Sequence, residues 1–299
     1  MHIETLKLYC DVVRLRSYSR AAEQNHVSQS AASQSLGKLE AELGARLLDR
    51  SQRPFVVTPQ GQAFHEACLD LLAAWEQAKA GVAATRTRID GTIRLAAIYS
   101  VGVYEVSRYL QEFATTYPES RVDLECLHSH KVVEAVLNGD ADVGILSYPP
   151  SDRDLTVVDL PAEPMIFVAH PRHRLAKRKT IRPSDLTGEG FVAFDPALMI
   201  RKAIDRSLRH HGAQVNIVLE FDNIDTIKTA VVGGQGVSIL PRPTVQKELE
   251  SGTLVGIPIG IPDLVRPLGI IYPRHRPLTP TVEKFIETVK GTTKVKKKR

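Results

Sequence analysis

The chain has 299 residues, more than one hydrophobic core usually serves, and 43% of them are hydrophobic and 24% charged, as in ordinary globular proteins. No run approaches the roughly 20 apolar residues of a membrane span, and the N-terminus lacks the basic and apolar regions of a secretory signal. We therefore expect a cytoplasmic protein of about two or three domains with no membrane partner. The net charge of +5 resides in the last six residues, which carry five positive charges, so residues 292–299 are expected to form a disordered basic tail.

The cysteines argue against two classes of site. Cys10, Cys68 and Cys126 are far apart in the sequence and form no C-x-x-C pair, so neither a disulfide framework nor a zinc ribbon is predicted. Free cysteines are among the most frequently buried residues. We expect all three to be buried as small apolar side chains.

Three short helices are predicted in the first 44 residues. The first has one buried stripe with spacing i, i+4 and i+7, formed by Leu6, Cys10 and Val13. Ser19 is expected to cap the second helix and Ser28 the third, because a serine oxygen can accept from the free amides of a first turn. Gly44 suits the C-terminal end of the third helix.

The third helix is predicted to have two different faces. Its apolar face repeats at helical spacing and contains Ala32, Leu36, Leu39 and Leu43. Its opposite face carries amides, hydroxyls and one ammonium group, from Gln29, Ser30, Ser33, Gln34 and Lys38. Such side chains hydrogen-bond base edges and phosphates, so we predict that this face, with Ser28 before it, binds double-stranded DNA.

A small β-wing is predicted after the third helix. In residues 46–59, apolar side chains flank a short basic turn, which places Arg50 and Arg53 where they could touch backbone phosphates. From these patterns alone, a three-helix bundle with a polar solvent face remains an alternative.

The first 61 residues resemble the LysR-type transcriptional regulators. The matching runs are Tyr18-x-x-Ala21-Ala22, Val27-Ser28-Gln29-Ser30-Ala31-x-Ser33, Leu39-Glu40-x-x-Leu43-Gly44-x-x-Leu47-Leu48-x-Arg50 and Thr58-Pro59-x-Gly61. Asn25, Gln34 and Gly37 depart from residues common in the family. Gln34 replaces a frequent basic residue and would favour an adenine edge over guanine. The resemblance implies a winged helix-turn-helix over residues 1–58.

A long linker helix is predicted next, within residues 59–90. Apolar residues recur there at steps of three and four, at Phe64, Cys68, Leu71, Leu72, Trp75, Ala78 and Val82. So small an N-terminal domain leaves this stripe little to pack on. An antiparallel helix of a second chain would cover it, as the resemblance also implies, so we expect a homodimer or homotetramer. Packing on the chain's own C-terminal domain is the alternative.

Residues 91–291 are predicted to form a two-lobed α/β domain similar to periplasmic binding proteins and to the LysR-type effector domain. Strand-like and helix-like runs alternate, which favours a mainly parallel sheet. Predicted strands cover 93–98, 122–127, 143–146, 165–169, 191–194, 215–221, 237–240 and 268–272, and predicted helices cover 103–117, 130–138, 197–211, 224–233 and 279–290. Lobe 1 would comprise about 91–161 and 268–291, and lobe 2 about 162–267.

We expect a small-molecule effector in the cleft between the lobes, and we expect it to be anionic because the free amides of helix N-termini favour anions. Ligands of open α/β sheets bind where strand ends meet helix N-termini. The residues at such junctions or on the adjoining wall are Tyr99, Ser100, Val101, Gly102, Ser129, Leu146, Asn223 and Thr226. Simple helix caps are the alternative for the Ser, Asn and Thr positions. Arg201 could balance an anion, but we expect it to be solvated.

These patterns together predict a sequence-specific DNA-binding transcription regulator that responds to an effector. No nucleophile elbow is present, and His128 and His130 have no third ligand nearby, so no catalytic site, metal or cofactor is predicted. The alternatives are a cytoplasmic small-solute-binding protein and a DNA-binding protein that responds to no ligand.

Overall fold

The computed structural model describes residues 2–52, 54–84 and 89–296. These fall into two units, Met1–Arg86 with His275–Pro277, and Thr87–Arg274 with Leu278–Arg299. Within the described ranges, no helix is both long and apolar enough to cross a membrane.

The first unit contains the predicted three helices, wing and linker helix. Its elements are α1 (Ile3–Leu15), α2 (Tyr18–Gln24), α3 (Gln29–Leu43), β1 (Leu48–Asp49), β2 (Val56–Val57) and α4 (Pro59–Ala84). The strands β1 and β2 are antiparallel and form the wing. The fully buried Tyr9 of α1 joins α4, because its hydroxyl donates to the carbonyl of Gly61 over 2.8 Å and its ring packs on Phe64. Residues 85–88 of the predicted linker lie outside the described ranges.

The helix caps agree with the sequence at two positions and differ at one. Ser28 caps α3 by accepting from the amide of Ala31 over 3.1 Å, and Gly44 ends the helix at φ +64°. The prediction that Ser19 caps α2 is wrong. Ser17 has the extended backbone of a cap and accepts from the amide of Arg20, whereas Ser19 already lies inside the helix.

Two of the three cysteines are buried, as predicted. Cys10 and Cys68 lie in the core of the first unit, and burial raises the pKa of the Cys10 thiol to about 12. Cys126 is only half-buried, so the prediction is wrong for this residue.

The second unit has two lobes, and its first lobe contains two βα units. The elements are β3 (Gly91–Ile98), α5 (Tyr99–Val101), a π-helical turn (Gly102–Val106), α6 (Ser107–Thr116), β4 (Ser120–Leu127), α7 (Ser129–Asn138) and β5 (Val143–Ser147). Strand β3 pairs in parallel with β4 and β5, as the alternation predicted. The core of this lobe includes Phe113 and Phe285, whose rings meet edge to face at 5.3 Å.

The remaining elements of the unit follow in chain order. They are β6 (Leu155–Ala169), a 3-10 turn (Pro183–Leu186), β7 (Gly190–Phe194), α8 (Met199–His210), β8 (Asn216–Phe221), α9 (Ile224–Val232), β9 (Ser238–Pro241), a 3-10 turn (Arg242–Val245), α10 (Gln246–Ser251), β10 (Val255–Pro258), β11 (Val265–Pro273) and α11 (Pro280–Lys296). Strands β7 and β8 form a separate parallel pair. The core of this second lobe includes Phe167 and Phe191.

Two long strands connect the lobes. The first part of β6 pairs antiparallel with β11, and its last part pairs antiparallel with β9 and β10. The large sheet is therefore mixed and has the order β10-β6-β11-β5-β3-β4, with β9 also on β6. The sequence predicted only the last third of β6, because Pro161 and Pro164 interrupt the strand pattern before it.

The C-terminal helix extends further than predicted. Helix α11 continues to Lys296, and the buried Thr292 donates from its hydroxyl to Oε2 of Glu112 over 2.6 Å. Residues 292–296, which were predicted to belong to a disordered tail, are therefore helical in the structure. The last three residues, 297–299, lie outside the described ranges.

Candidate DNA-binding surface and effector cleft

The predicted DNA-binding residues form one accessible face on α3 and its cap. The exposed residues are Ser28, Gln29, Ser30, Gln34 and Lys38, and Ser33 is half-buried. Val27 and Ala31 are also exposed on this side, which the sequence analysis did not include. Apolar groups of this size can contact thymine methyl groups, so the face offers both polar and apolar contacts to base edges.

The Gln29 amide contacts α2. The hydroxyl of Ser19 donates to Oε1 of Gln29 over 3.3 Å, so Ser19 contacts α3 although it does not cap α2. An amide bonded through its oxygen keeps its NH₂ group available to acceptors on a base edge.

Arg50 is held by two side chains of the helical core. Its Nη2 donates to Oε2 of Glu40 over 2.9 Å, and its guanidinium lies 5.5 Å from the ring centroid of Tyr18. Glu40 also accepts from the amides of Leu47 and Leu48, so this group of contacts anchors the wing to α3. Arg53, the other predicted phosphate contact, lies outside the described residues.

The first predicted effector segment lies where β3 ends. Tyr99 is exposed and Ser100 half-buried, whereas Val101 and Gly102 are buried. A Cβ at Gly102 would collide with the sulfur of Cys126, so the close approach of this turn to β4 requires glycine. Accessible side-chain chemistry in this segment therefore comes from Tyr99 and Ser100.

A buried ion pair between Arg266 and Glu163 contacts the hydroxyl of Ser100. Arg266 of β11 is only 1% exposed, and its Nε donates to Oε2 of Glu163 on β6 over 2.7 Å. Its Nη1 donates to Oγ of Ser100 over 2.8 Å. Because Ser100 accepts from a guanidinium, its own proton is available to an acceptor on a ligand.

Tyr148 adds a second hydroxyl close to this ion pair. Its oxygen is buried and has no hydrogen-bond partner within the described residues, and its backbone has φ +52°. Burial raises the pKa of Tyr148, although the nearby Arg266 acts in the opposite direction. The hydroxyl is therefore protonated at neutral pH and suited to donate.

The other predicted effector residues differ in how accessible they are. Asn223 caps α9, and its Oδ1 accepts from the amide and hydroxyl of Thr226 over 2.9 and 2.8 Å. Ser129 is half-buried in the first turn of α7. Leu146 belongs to the core of the first lobe, so its side chain is not available to a ligand.

Arg201 is buried, which corrects the expectation that it is solvated. Its guanidinium donates to the carbonyl of Phe194, to Glu220 over 2.6 Å and to Asp205 over 2.9 Å. Two carboxylates already balance its charge, so it is not free to neutralise an anionic effector.

Arg266, Glu163 and Tyr148 were missed by the sequence analysis. A signal was present, since Arg266 lies two residues before the predicted strand 268–272, and a charge buried beside an apolar strand requires a partner. The partner could not be predicted, because Glu163 lies 103 residues earlier.

Comparison with known families covers both units. Residues 3–62 match the bacterial regulatory helix-turn-helix protein of the lysR family, and residues 86–294 match the LysR substrate binding domain. The chain belongs to the LysR family. Like its relatives, this LysR-family protein is a DNA-binding transcriptional regulator whose second domain is of the small-molecule-binding type.

Individual relatives extend over nearly the whole LysR-family chain. The HTH-type transcriptional regulator CysL of Bacillus subtilis (strain 168) is 28% identical over 291 residues, which are 97% of each chain. A full-length OxyR variant from Pseudomonas aeruginosa shares the fold with a TM-score of 0.76 at 22% identity, over 98% of this chain and 95% of that one. The regulatory domain of Synechocystis PCC6803 CcmR, solved in complex with 2-PG, has a TM-score of 0.62 and 26% identity, over 69% of this chain and 98% of that one.

Proposed function

We propose that this regulator reads operator DNA with the exposed face of α3 and responds to an effector that binds between the lobes of its second unit. The proposed base- and phosphate-contacting residues are Ser28, Gln29, Ser30, Ser33, Gln34 and Lys38, with Arg50 and Arg53 on the wing. The observation that supports this role is the accessibility of the amides and hydroxyls on one face of a capped helix. We further propose a cytoplasmic location and no catalytic step.

The proposed effector carries a hydrogen-bond acceptor, such as a carboxylate or another anionic oxygen. The supporting geometry is the Ser100 hydroxyl, whose oxygen is occupied by Arg266 and whose proton can therefore point to a ligand. Tyr99 and the backbone of Val101 and Gly102 complete this side of the proposed site. The complex of the CcmR regulatory domain with 2-PG is consistent with a ligand site in such a domain.

Three predicted residues remain at the rim of the proposed effector site. Ser129, Asn223 and Thr226 lie at helix N-termini. The NH₂ group of Asn223 already donates one proton to Oδ1 of Asp222 over 3.0 Å and keeps the other for a ligand. Leu146 is left out because its side chain lies in the core.

The proposed assembly is a homodimer or homotetramer joined through α4. One face of this helix packs in its own unit through Phe64, Cys68 and Leu72. A second face exposes Leu71 and Trp75, at 50% and 47%. An antiparallel α4 of a second chain would cover these side chains and relate two recognition helices by a two-fold axis, as operators with paired half-sites require.

Binding to the DNA directly upstream of the protein's own gene, compared with a scrambled duplex at physiological salt, tests the DNA-reading role. We expect a preference of about 10³-fold or more for the upstream DNA. Gln29→Ala and Gln34→Ala should each cost about 1–3 kcal/mol on the preferred DNA and little on the scrambled duplex, because base contacts carry sequence information.

Gln62→Ala is the matched control, since Gln62 is an exposed amide on α4 that bonds Glu66. It should bind both duplexes as the wild type does. Equal losses on both duplexes for the α3 variants, or no preference in the wild type, would contradict the proposed role.

A further inference from the structure

A tyrosine of the first lobe makes hydrogen bonds to the second lobe. Tyr104 lies in the π-helical turn that follows α5, four residues after Ser100. Its hydroxyl donates to Oδ1 of Asp225 and accepts from Nζ of Lys228 over 2.6 Å, and both partners belong to α9. The Lys228 ammonium also lies 4.8 Å from the centroid of the Tyr104 ring. Such π-helical turns occur frequently at functional sites.

Lys228 is buried and strongly held on the side of the second lobe. It is 7% exposed, and its ammonium contacts Glu248 at 2.9 Å, Asp225 at 3.1 Å and the carbonyl of Thr244 at 3.2 Å. Burial by itself would lower the pKa of Lys228, but its hydrogen bonds to Glu248, Tyr104 and Asp225 outweigh burial and raise it. The lysine is therefore charged, and Tyr104 is the partner that the first lobe contributes.

The lobes are thus joined in two ways. Strands β6 and β11 connect them through the backbone, and the Tyr104 contact connects them through side chains. Paired strands can bend without breaking hydrogen bonds, but the Tyr104 hydroxyl would lose Lys228 and Asp225 if the lobes moved apart. The contact therefore stabilises the arrangement of the structure, in which Tyr104 reaches α9, relative to arrangements in which the lobes have moved apart. We call the former arrangement closed.

We propose that Tyr104 is the closure contact of the effector domain and transmits the state of the Ser100 segment to the second lobe. Ser100 and Tyr104 lie on one continuous helical segment, residues 99–116, so a ligand at Ser100 that shifts this segment also shifts the hydroxyl between Lys228 and Asp225. A ligand changes such an equilibrium only through unequal affinity for its two states. The regulatory part of the inference rests on the proposed function, whereas the closure contact itself does not.

The distance between the lobes in the full-length Tyr104→Phe variant tests the inference. Spin labels at cysteines introduced at the exposed positions Gln111 on α6 and Lys247 on α10, in a Cys126→Ser background, report the distance across the contact. Labelled chains are diluted with unlabelled ones, so that only distances within one chain are measured. Tyr104→Phe keeps the ring over Lys228 and removes only the hydroxyl.

Tyr117→Phe is the matched control, because Tyr117 lies on the same lobe, packs on Phe113 and takes part in none of these hydrogen bonds. Thermal unfolding verifies that both variants are folded. We expect Tyr104→Phe to broaden the distribution towards longer distances and Tyr117→Phe to match the wild type. Lys228→Met, which removes the ammonium from the other side, should have the same effect as Tyr104→Phe.

Identical distance distributions for the wild type and Tyr104→Phe would overturn the proposal that Tyr104 is the closure contact. The regulatory part is measured separately, on the DNA preferred by the wild type, where Tyr104→Phe should change the affinity by about fivefold or more. A longer distance with unchanged DNA affinity would overturn that part. If the wild type showed no preference for any DNA tested, the proposed function would fail, and the distance measurement alone would decide the closure contact.

Discussion

At the scale of single residues, a buried ion pair between Arg266 and Glu163 lies at the base of the cleft. Arg266 is surrounded by protein, and the carboxylate of Glu163 and the hydroxyl of Ser100 offset the cost of removing the guanidinium from water. The pair also holds Ser100 in one orientation. Ser100, the proposed effector contact, thus depends on two residues that need not contact the effector.

Removing one partner of this pair should destabilise the second unit strongly. Glu163→Leu leaves a buried guanidinium without its carboxylate, and we expect a loss of about 3–5 kcal/mol in the free energy of unfolding. The double variant Glu163→Leu with Arg266→Met removes both charges and should lose much less. Urea unfolding followed by circular dichroism measures both.

The exposed pair of Arg121 and Asp123 provides the control for this series. Arg121→Ala should leave the free energy of unfolding nearly unchanged, because exposed ion pairs contribute little. If Glu163→Leu were as stable as Arg121→Ala, the buried pair would not have the role assigned to it.

Single residues also show how far sequence reasoning reaches into the site. Ser100 was proposed as an effector contact because it lies two residues after a strand, and strand ends bind ligands in such folds. Arg266 could not be predicted, because its role depends on Glu163 and Ser100, which lie 103 and 166 residues away. Leu146 was predicted as part of the wall, but its side chain lies in the core, because β5 is buried on both faces and the adjacent Ile145 is buried as well.

At the scale of elements, the recognition helix is positioned by the caps of α2 and α3. Ser17 and Ser28 each accept a hydrogen bond from a first-turn amide, and Ser19 instead contacts Gln29. Ser19 was predicted from the sequence as the cap of α2, but Ser17 has that role in the structure. Packing of the Tyr18 ring on Phe55 places Tyr18 within the core of the unit, which is consistent with a helix that begins there.

Cap variants should therefore act selectively on these two helices. Ser17→Ala and Ser28→Ala should each cost about 1 kcal/mol of local stability. That corresponds to about fivefold faster amide hydrogen exchange in α2 and α3 respectively, measured by mass spectrometry on the full chain. Ser19→Ala, which removes a hydroxyl from inside α2, is the control and should leave exchange in α2 nearly unchanged. Faster exchange in Ser19→Ala than in Ser17→Ala would contradict the cap assignment.

Among the elements, strand β6 was only partly predicted from the sequence. Its last third is a continuous apolar run and was predicted, whereas its first two thirds contain two prolines and alternate with polar residues. The strand nevertheless continues, because β11 pairs with the stretch from Leu155 to Pro164, with an irregularity between Arg266 and Leu268. Pairing across the sheet thus overrides a local pattern that disfavours a strand.

At the scale of the whole molecule, the exposed face of α4 predicts association of chains. Fully burying a side chain such as Leu71 contributes about 1.5–3 kcal/mol, so its replacement by a charged residue should weaken a dimer formed there by about tenfold or more. We expect Leu71→Glu and Trp75→Glu to dissociate at concentrations where the wild type is a dimer. Sedimentation velocity over a range of concentrations measures this.

Leu43→Glu controls for the addition of a charge to an exposed leucine of the same unit. It should associate as the wild type does. If Leu71→Glu and Trp75→Glu also associated normally, the proposed α4 interface would be wrong and another surface would have to join the chains.

The sequence by itself determined the family, the order of the units and the capped helix α3 with its polar face. These features depend on motifs, periodicity and caps, which are properties of contiguous residues. Only the tertiary structure decided which side chains support the cleft and join its lobes. Arg266 meets Ser100, and Lys228 meets Tyr104, across 166 and 124 residues of sequence. Such partners come together only after β6 and β11 have crossed between the lobes, and no local pattern encodes that crossing.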